Sequence, residues 1–210
     1  MRAAPGRLAL AVSLAAAQAA FALTFRGPRS RFWHRMTMTG LSLGSFALAV
    51  SPETRRVKIG PREVAMGMAS AATLYATFQV GDRFARRFVP GGEAQIRDIY
   101  ELRGLRPRAE IGARLVAVIG PAEELFWRGI VQAAFMRWLG RWRGAAAGAT
   151  AYGGVHLVTG NFTLFGAAGI AGAHWSALYA AGMPLGALIV SHAAWDVWIF
   201  LLQPTMEVGE

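Results

Sequence analysis

Pro121-Ala122-Glu123-Glu124-Leu125-Phe126-Trp127-Arg128-Gly129 places two adjacent carboxylates and an arginine inside an otherwise apolar run. Ile111 to Gly120 precedes it and Ile130 to Leu139 follows, interrupted by Arg114, Gln132 and Arg137. Read as one helix, the segment is long enough to lie in a bilayer, which needs about 20 residues. A charged side chain at mid-bilayer costs roughly 2.5–3.5 kcal/mol on insertion scales. Three of them unpaired would cost on the order of 8–10 kcal/mol, as much as the whole stability of many domains. Such residues persist where they pair, face a wet cavity or do chemistry. Glu124 and Arg128 are four apart and share a helix face, so an ion pair is expected between them. Glu123 points about 100° away and is left without a partner on its own helix. A carboxylate in that position suits a general base or acid. The plainer alternative puts all three at a helix end, snorkelling into water. Ionisable groups inside membrane segments are functional by default, which favours the chemical reading.

The chain has 210 residues, 54% hydrophobic and 16% charged, against about 25% charged in a soluble domain. That balance and the long apolar runs place it among membrane proteins. It has no cysteine, which excludes disulfides, a thiolate nucleophile and cysteine-type zinc sites. The net charge is +10, and Lys58 is the only lysine. The arginines lie between apolar runs, at Arg26 to Arg35, Arg55 to Arg62, Arg83 to Arg114 and Arg137 to Arg143. That is the pattern of loops flanking membrane spans, where cations meet anionic headgroups. No basic helix is interleaved with base-stacking aromatics, so no nucleic-acid partner is expected. The excess of arginine over lysine, with abundant alanine and glycine, points to a GC-rich bacterial genome and hence to the bacterial inner membrane.

Leu8 to Phe25 is the first apolar run. Ala17-Gln18-Ala19 within it could serve as a signal-peptidase site, but the run continues apolar to Phe25 and ends in a basic loop, so a retained span is expected. Met36 to Val50 carries Gly40-x-x-x-Gly44, which lets another helix approach closely. Pro61 opens a third run ending near Val80. Gly81 to Arg114 is too polar to span and reads as an interfacial loop with a short amphipathic helix around Glu93 to Leu102. It separates an accessory region, residues 1–110, from a core, residues 111–204, that holds the polar pairs. After the Glu123 helix come Gly144 to Val158, Phe162 to Ala181 and Pro184 to Leu202. Their connections are short, so neighbours must be antiparallel hairpins. Gly144, Gly148, Gly166, Gly169 and Gly172 are expected to serve tight helix packing. Asn161-Phe162-Thr163 matches a glycosylation acceptor by chance. The expectation is an all-α transmembrane bundle of about seven spans, with charge leaving its orientation open.

Two further polar pairs lie in the C-terminal half. Tyr152-Gly-Gly-Val-His156 puts an aromatic and a histidine four apart, and His192-Ala-Ala-Trp-Asp196 does the same for a histidine and a carboxylate. A buried histidine alone is as often a satisfied core residue as a functional one. Two such pairs together with Glu123, on three nearby helices, supply what carboxylate-driven or metal-assisted hydrolysis requires. Hydrolytic zinc sites use three N or O ligands and one open position. His174 has no partner at helical spacing and reads as structural; His34 lies in a basic loop and reads as solvated.

These three motifs, in this order, resemble the CPBP intramembrane proteases, also called the CAAX-protease and bacteriocin-processing or abortive-infection family. The family pattern of Glu-Glu-x-x-x-Arg, then aromatic-x-x-x-His, then His-x-x-x-Asn or Asp is met by Glu123-Glu124 with Arg128, by Tyr152 with His156, and by His192 with Asp196. The resemblance covers about residues 115 to 202. Tyr152 stands where phenylalanine is usual, and Asp196 where asparagine is commoner. The resemblance implies peptide-bond hydrolysis within the membrane. Glu123 would take a proton from water and His156 would help hold that water. Glu124 and Arg128 would lock the helix. His192 and Asp196 would complete a metal site with His156, with zinc the candidate ion, or stabilise the oxyanion. The family is described both as metalloproteases and as metal-free glutamate proteases. It implies a peptide or membrane-anchored protein as substrate and the lipid bilayer as partner. Two rival classes keep the same residues: a non-catalytic immunity or scaffold protein, and a proton-coupled transporter. Against transport, the polar residues cluster in one half and no inverted repeat is visible.

Overall fold

Each of the seven apolar runs becomes a helix, because alanine- and leucine-rich sequence without internal caps has nowhere to stop. The computed structural model describes residues 6–205 and contains no strand among them. The helices are α1 (Arg7–Arg26), α2 (Phe32–Val50), the short α3 (Pro52–Arg55), α4 (Pro61–Phe88), α5 (Gly92–Tyr100), α6 (Arg108–Arg114), α7 (Gly120–Phe126), α8 (Ala133–Leu139), α9 (Arg141–Val155), α10 (Phe162–Ala180) and α11 (Leu185–Val197). Two helical stretches, Arg7–Arg26 and Leu185–Leu202, are long and apolar enough to cross a membrane by length and composition.

The third run departs from expectation. Its helix, α4, has 28 residues and does not stop near Val80. One glycine in a helix costs only about 1 kcal/mol. The polar residues beyond Gly81 support the helix through an i,i+4 ion pair, Asp82 to Arg86 at 2.8 Å. The chain breaks only at Pro90-Gly91, where Gly91 takes a left-handed conformation (φ 70°). The amphipathic helix expected beyond it is α5, which buries Ile96 and Tyr100 one turn apart.

α6, α7 and α8 form one continuous helix interrupted by two π-helical turns, Leu115–Ile119 and Trp127–Gln132. Pro121 accounts for the first, since it lacks an N–H and its ring conflicts with the carbonyl four residues back. The backbone N–H of Gly120 accordingly bonds Leu115 O, five residues back. The short segment carrying Glu123 and Glu124 is thus bracketed by π-turns.

α2 and α11 pack on α7, α4 packs on α11, and α9 lies between α8 and α10. The Gly40-x-x-x-Gly44 motif does what its spacing predicts: a Cβ at Gly44 would sit 3.1 Å from Ala122 Cβ. Gly148 is pressed against Gln132, and Gly172 against Tyr152. Gly166 and Gly169 differ, since a Cβ at either would meet open space. One end of the bundle is tied by Trp33 Nε1 to Leu102 O and Asn161 Nδ2 to Gln95 O, both 2.8 Å. At the other end Arg141 bonds Ala180 O. Asn161, in the acceptor-like motif, caps α10 by accepting from Leu164 N.

Candidate active site

The expected ion pair forms, and it is fully buried. Arg128 Nη1 donates to Glu124 Oε1 at 2.9 Å, with side-chain exposures of 1% and 0%. The same oxygen accepts from His192 Nδ1 at 2.8 Å, which ties α7 to α11. Arg128 also donates through Nη2 to Gly172 O at 3.3 Å on α10. Its guanidinium lies over the ring of Tyr152 at 4.5 Å and that of Trp175 at 5.3 Å. A cation removed from water is therefore compensated by a carboxylate, a carbonyl and two aromatic faces.

Glu123 stands apart from that network, as its place on the helix requires. It is buried, and its closest cationic atom is His192 Nε2 at 4.0 Å from Oε2. Asp196 Oδ2 faces the same His192 Nε2 at 3.7 Å, and its side chain is 15% exposed. Both separations are too long for direct hydrogen bonds. His192 is held from two sides: Nδ1 is fixed by Glu124, and its ring stacks on Trp175 at 4.1 Å between centroids.

His156 borders this cluster through Tyr152. Its Nδ1 lies 2.9 Å from Tyr152 O. A carbonyl only accepts, so Nδ1 carries the proton and Nε2 is the acceptor of the neutral ring. Phe21 and Phe25 of α1 contact the ring at 5.2 and 6.3 Å. His174 lies off the cluster and bonds Ser70 Oγ at 2.9 Å, while His34 is exposed.

The expected metal ligands His156, His192 and Asp196 do not make a coordination set. Among the described residues no three His, Cys, Asp or Glu side chains are grouped so as to hold an ion. His192 Nε2 lies 3.7 Å from Asp196 Oδ2 and 4.0 Å from Glu123 Oε2, and His156 is turned by its Nδ1 to Tyr152 O.

Sequence reasoning missed Trp175, which touches both Arg128 and His192. Its Nε1 donates to Ser191 Oγ at 2.9 Å, and Ser191 donates to Ser70 Oγ on α4 at 2.8 Å. A tryptophan within an apolar run gives no sign of this role.

No curated protein and no solved structure matches the chain. A family model does: residues 109–198 match the one described as Type II CAAX prenyl endopeptidase Rce1-like. The matched segment holds Glu123, Glu124, Arg128, Tyr152, His156, His192 and Asp196, the residues on which the resemblance to the CPBP/CAAX proteases rests.

Proposed function

We propose that this protein is an intramembrane endopeptidase in which Glu123 activates water without a metal ion. One observation carries the reading. Of the two adjacent carboxylates, Glu124 is consumed by Arg128 and His192, while Glu123 is left without a direct hydrogen bond to His192, whose Nε2 lies 4.0 Å away. Water held there attacks the scissile carbonyl carbon as Glu123 takes its proton. A C–O bond forms, the C–N bond breaks, and Glu123 returns the proton to the departing amine. His156 Nε2 accepts from the same water, and His192 Nε2, when protonated, donates to the oxyanion. Asp196 faces the same Nε2 and balances its charge when His192 is protonated. Glu124 and Arg128 fix the helix and the ring, and do not touch the reacting atoms.

The substrate is a membrane-anchored protein or peptide whose cleavage site reaches the bundle interior. The chain threads the bacterial inner membrane about seven times, each apolar run contributing one span. The test is Glu123→Gln, assayed by mass spectrometry of membrane peptides from cells with and without the substitution. Peptides that change with wild type and not with Glu123→Gln identify substrates. An identical peptide set in both would favour a scaffold protein over an enzyme.

A further inference from the structure

The polar face that holds Glu124 and Arg128 continues at the same four-residue spacing to Gln132 and Met136. Along it, Glu124 Oε2, Arg128 Nε and Gln132 Oε1 are buried with no protein hydrogen-bond partner. On the facing helix α10, Ser176 Oγ is buried in the same condition. The Gln132 amide cannot cure this by turning over. Its Nε2 donates to Ser176 O at 2.8 Å and to Met136 Sδ at 3.6 Å, and reversal would set oxygen against a carbonyl. Native interiors hold only a few such atoms, and clusters of them are met by internal water.

The stripe also leads somewhere. Met136 is one turn beyond Gln132, and Ala180 one turn beyond Ser176. Both line an open depression of about 660 Å³ at the Arg141 end of the bundle, with Arg137, Arg141, Tyr179 and Leu185. One helical turn, about 5.4 Å, therefore separates the floor of the depression from the first two unpartnered atoms. Arg137 and Arg141 are exposed and keep the mouth wet.

We propose that this stripe is a water path, running from the Arg141-end depression past Ser176 and Gln132 to Arg128 and Glu124. Water molecules bridge the four unpartnered atoms in file. The path supplies the water that each hydrolysis consumes, a role that rests on the protease reading; its hydration does not.

The absence of cysteine makes a direct test simple. Ser176→Cys puts a single thiol on the path with almost no change of shape. Ala17→Cys puts one in the core of α1, at a fully buried site away from the stripe. The full-length protein in detergent is exposed to silver ion, which is small enough to follow water, and the remaining thiol is counted with a maleimide after denaturation. The expected result is reaction at Ser176→Cys, none at Ala17→Cys, and loss of the Ser176→Cys reaction when Gln132→Met is added. A Ser176→Cys thiol as inert as the Ala17→Cys control overturns the path, even if the Gln132→Met protein does not fold. So does a reaction unaffected by a folded Gln132→Met. The silver reaction needs no catalysis, so a chain that cleaves nothing would sink the protease reading and leave this result standing.

Discussion

At the scale of single residues, the two glutamates are neighbours in sequence and opposites in role. Glu123→Gln keeps size and burial but cannot take a proton, so activity should fall by about 10²-fold or more while the protein elutes and melts as wild type. Full cleavage by this variant would remove the assigned base. Glu124→Gln should act differently, since it removes the negative charge that Arg128 and His192 share and leaves a buried cation uncompensated. A stability loss of about 3–5 kcal/mol is expected, read as a lowered thermal midpoint in detergent. The four-residue spacing of Glu124 and Arg128 made their pair legible in the sequence. The bond from His192 to Glu124 spans 68 residues, and no local pattern encodes it. Donor types were likewise readable, but not how His156, His192 and Asp196 stand relative to one another. On the metal-free reading activity should survive exhaustive chelation, and loss of activity restored by zinc would overturn that mechanism.

At the scale of elements, the helices were legible because their apolar runs are long, and their small-residue motifs told in part which faces meet. Gly44 approaches Ala122, which immediately precedes Glu123, so α2 sets the seat of Glu123. Gly44→Leu should overpack that contact, costing about 1–3 kcal/mol, and should lower turnover by shifting α7. Gly166→Leu, facing open space, is the matched control and should leave turnover unchanged. The π-turns were not legible, because Pro121 announces a defect without saying how the backbone absorbs it. α3 carries a pH-dependent cap. Ser51 caps it, and the hydrogen bond from Ser51 Oγ, 2.8 Å from Glu53 Oε2, is the main cause holding the Glu53 carboxyl below its usual pKa. A depressed carboxyl pKa contributes stability that is present above the unfolded value and lost as pH falls through the folded one. Ser51→Ala should abolish that share, seen as a flatter dependence of the melting midpoint on pH in the acidic range.

At the scale of the whole molecule, the part outside the family match does more than add length. Phe21 and Phe25 of α1 wall His156, and Ser70 of α4 links the hydrogen-bond chain from Trp175 and Ser191 to His174. The sequence could not show this, since a phenylalanine in an apolar run looks the same whether it meets lipid or a catalytic ring. The outer surface tells the two apart. Leu8, Leu23, Val80, Phe84, Phe88, Phe162 and Leu202 are each more than half exposed, on several different helices. Soluble monomers rarely expose apolar patches of more than a few hundred Å², whereas a bilayer solvates such surfaces. Arg7 over Trp138 and Arg141 over Trp142 add cation–aromatic pairs of the kind found at headgroup level. Membrane fractions washed with high salt or alkaline carbonate should therefore retain the protein, and only detergent should extract it. Release by carbonate would mean that these side chains are covered by another protein, and the site would then have to be read as that of a soluble assembly.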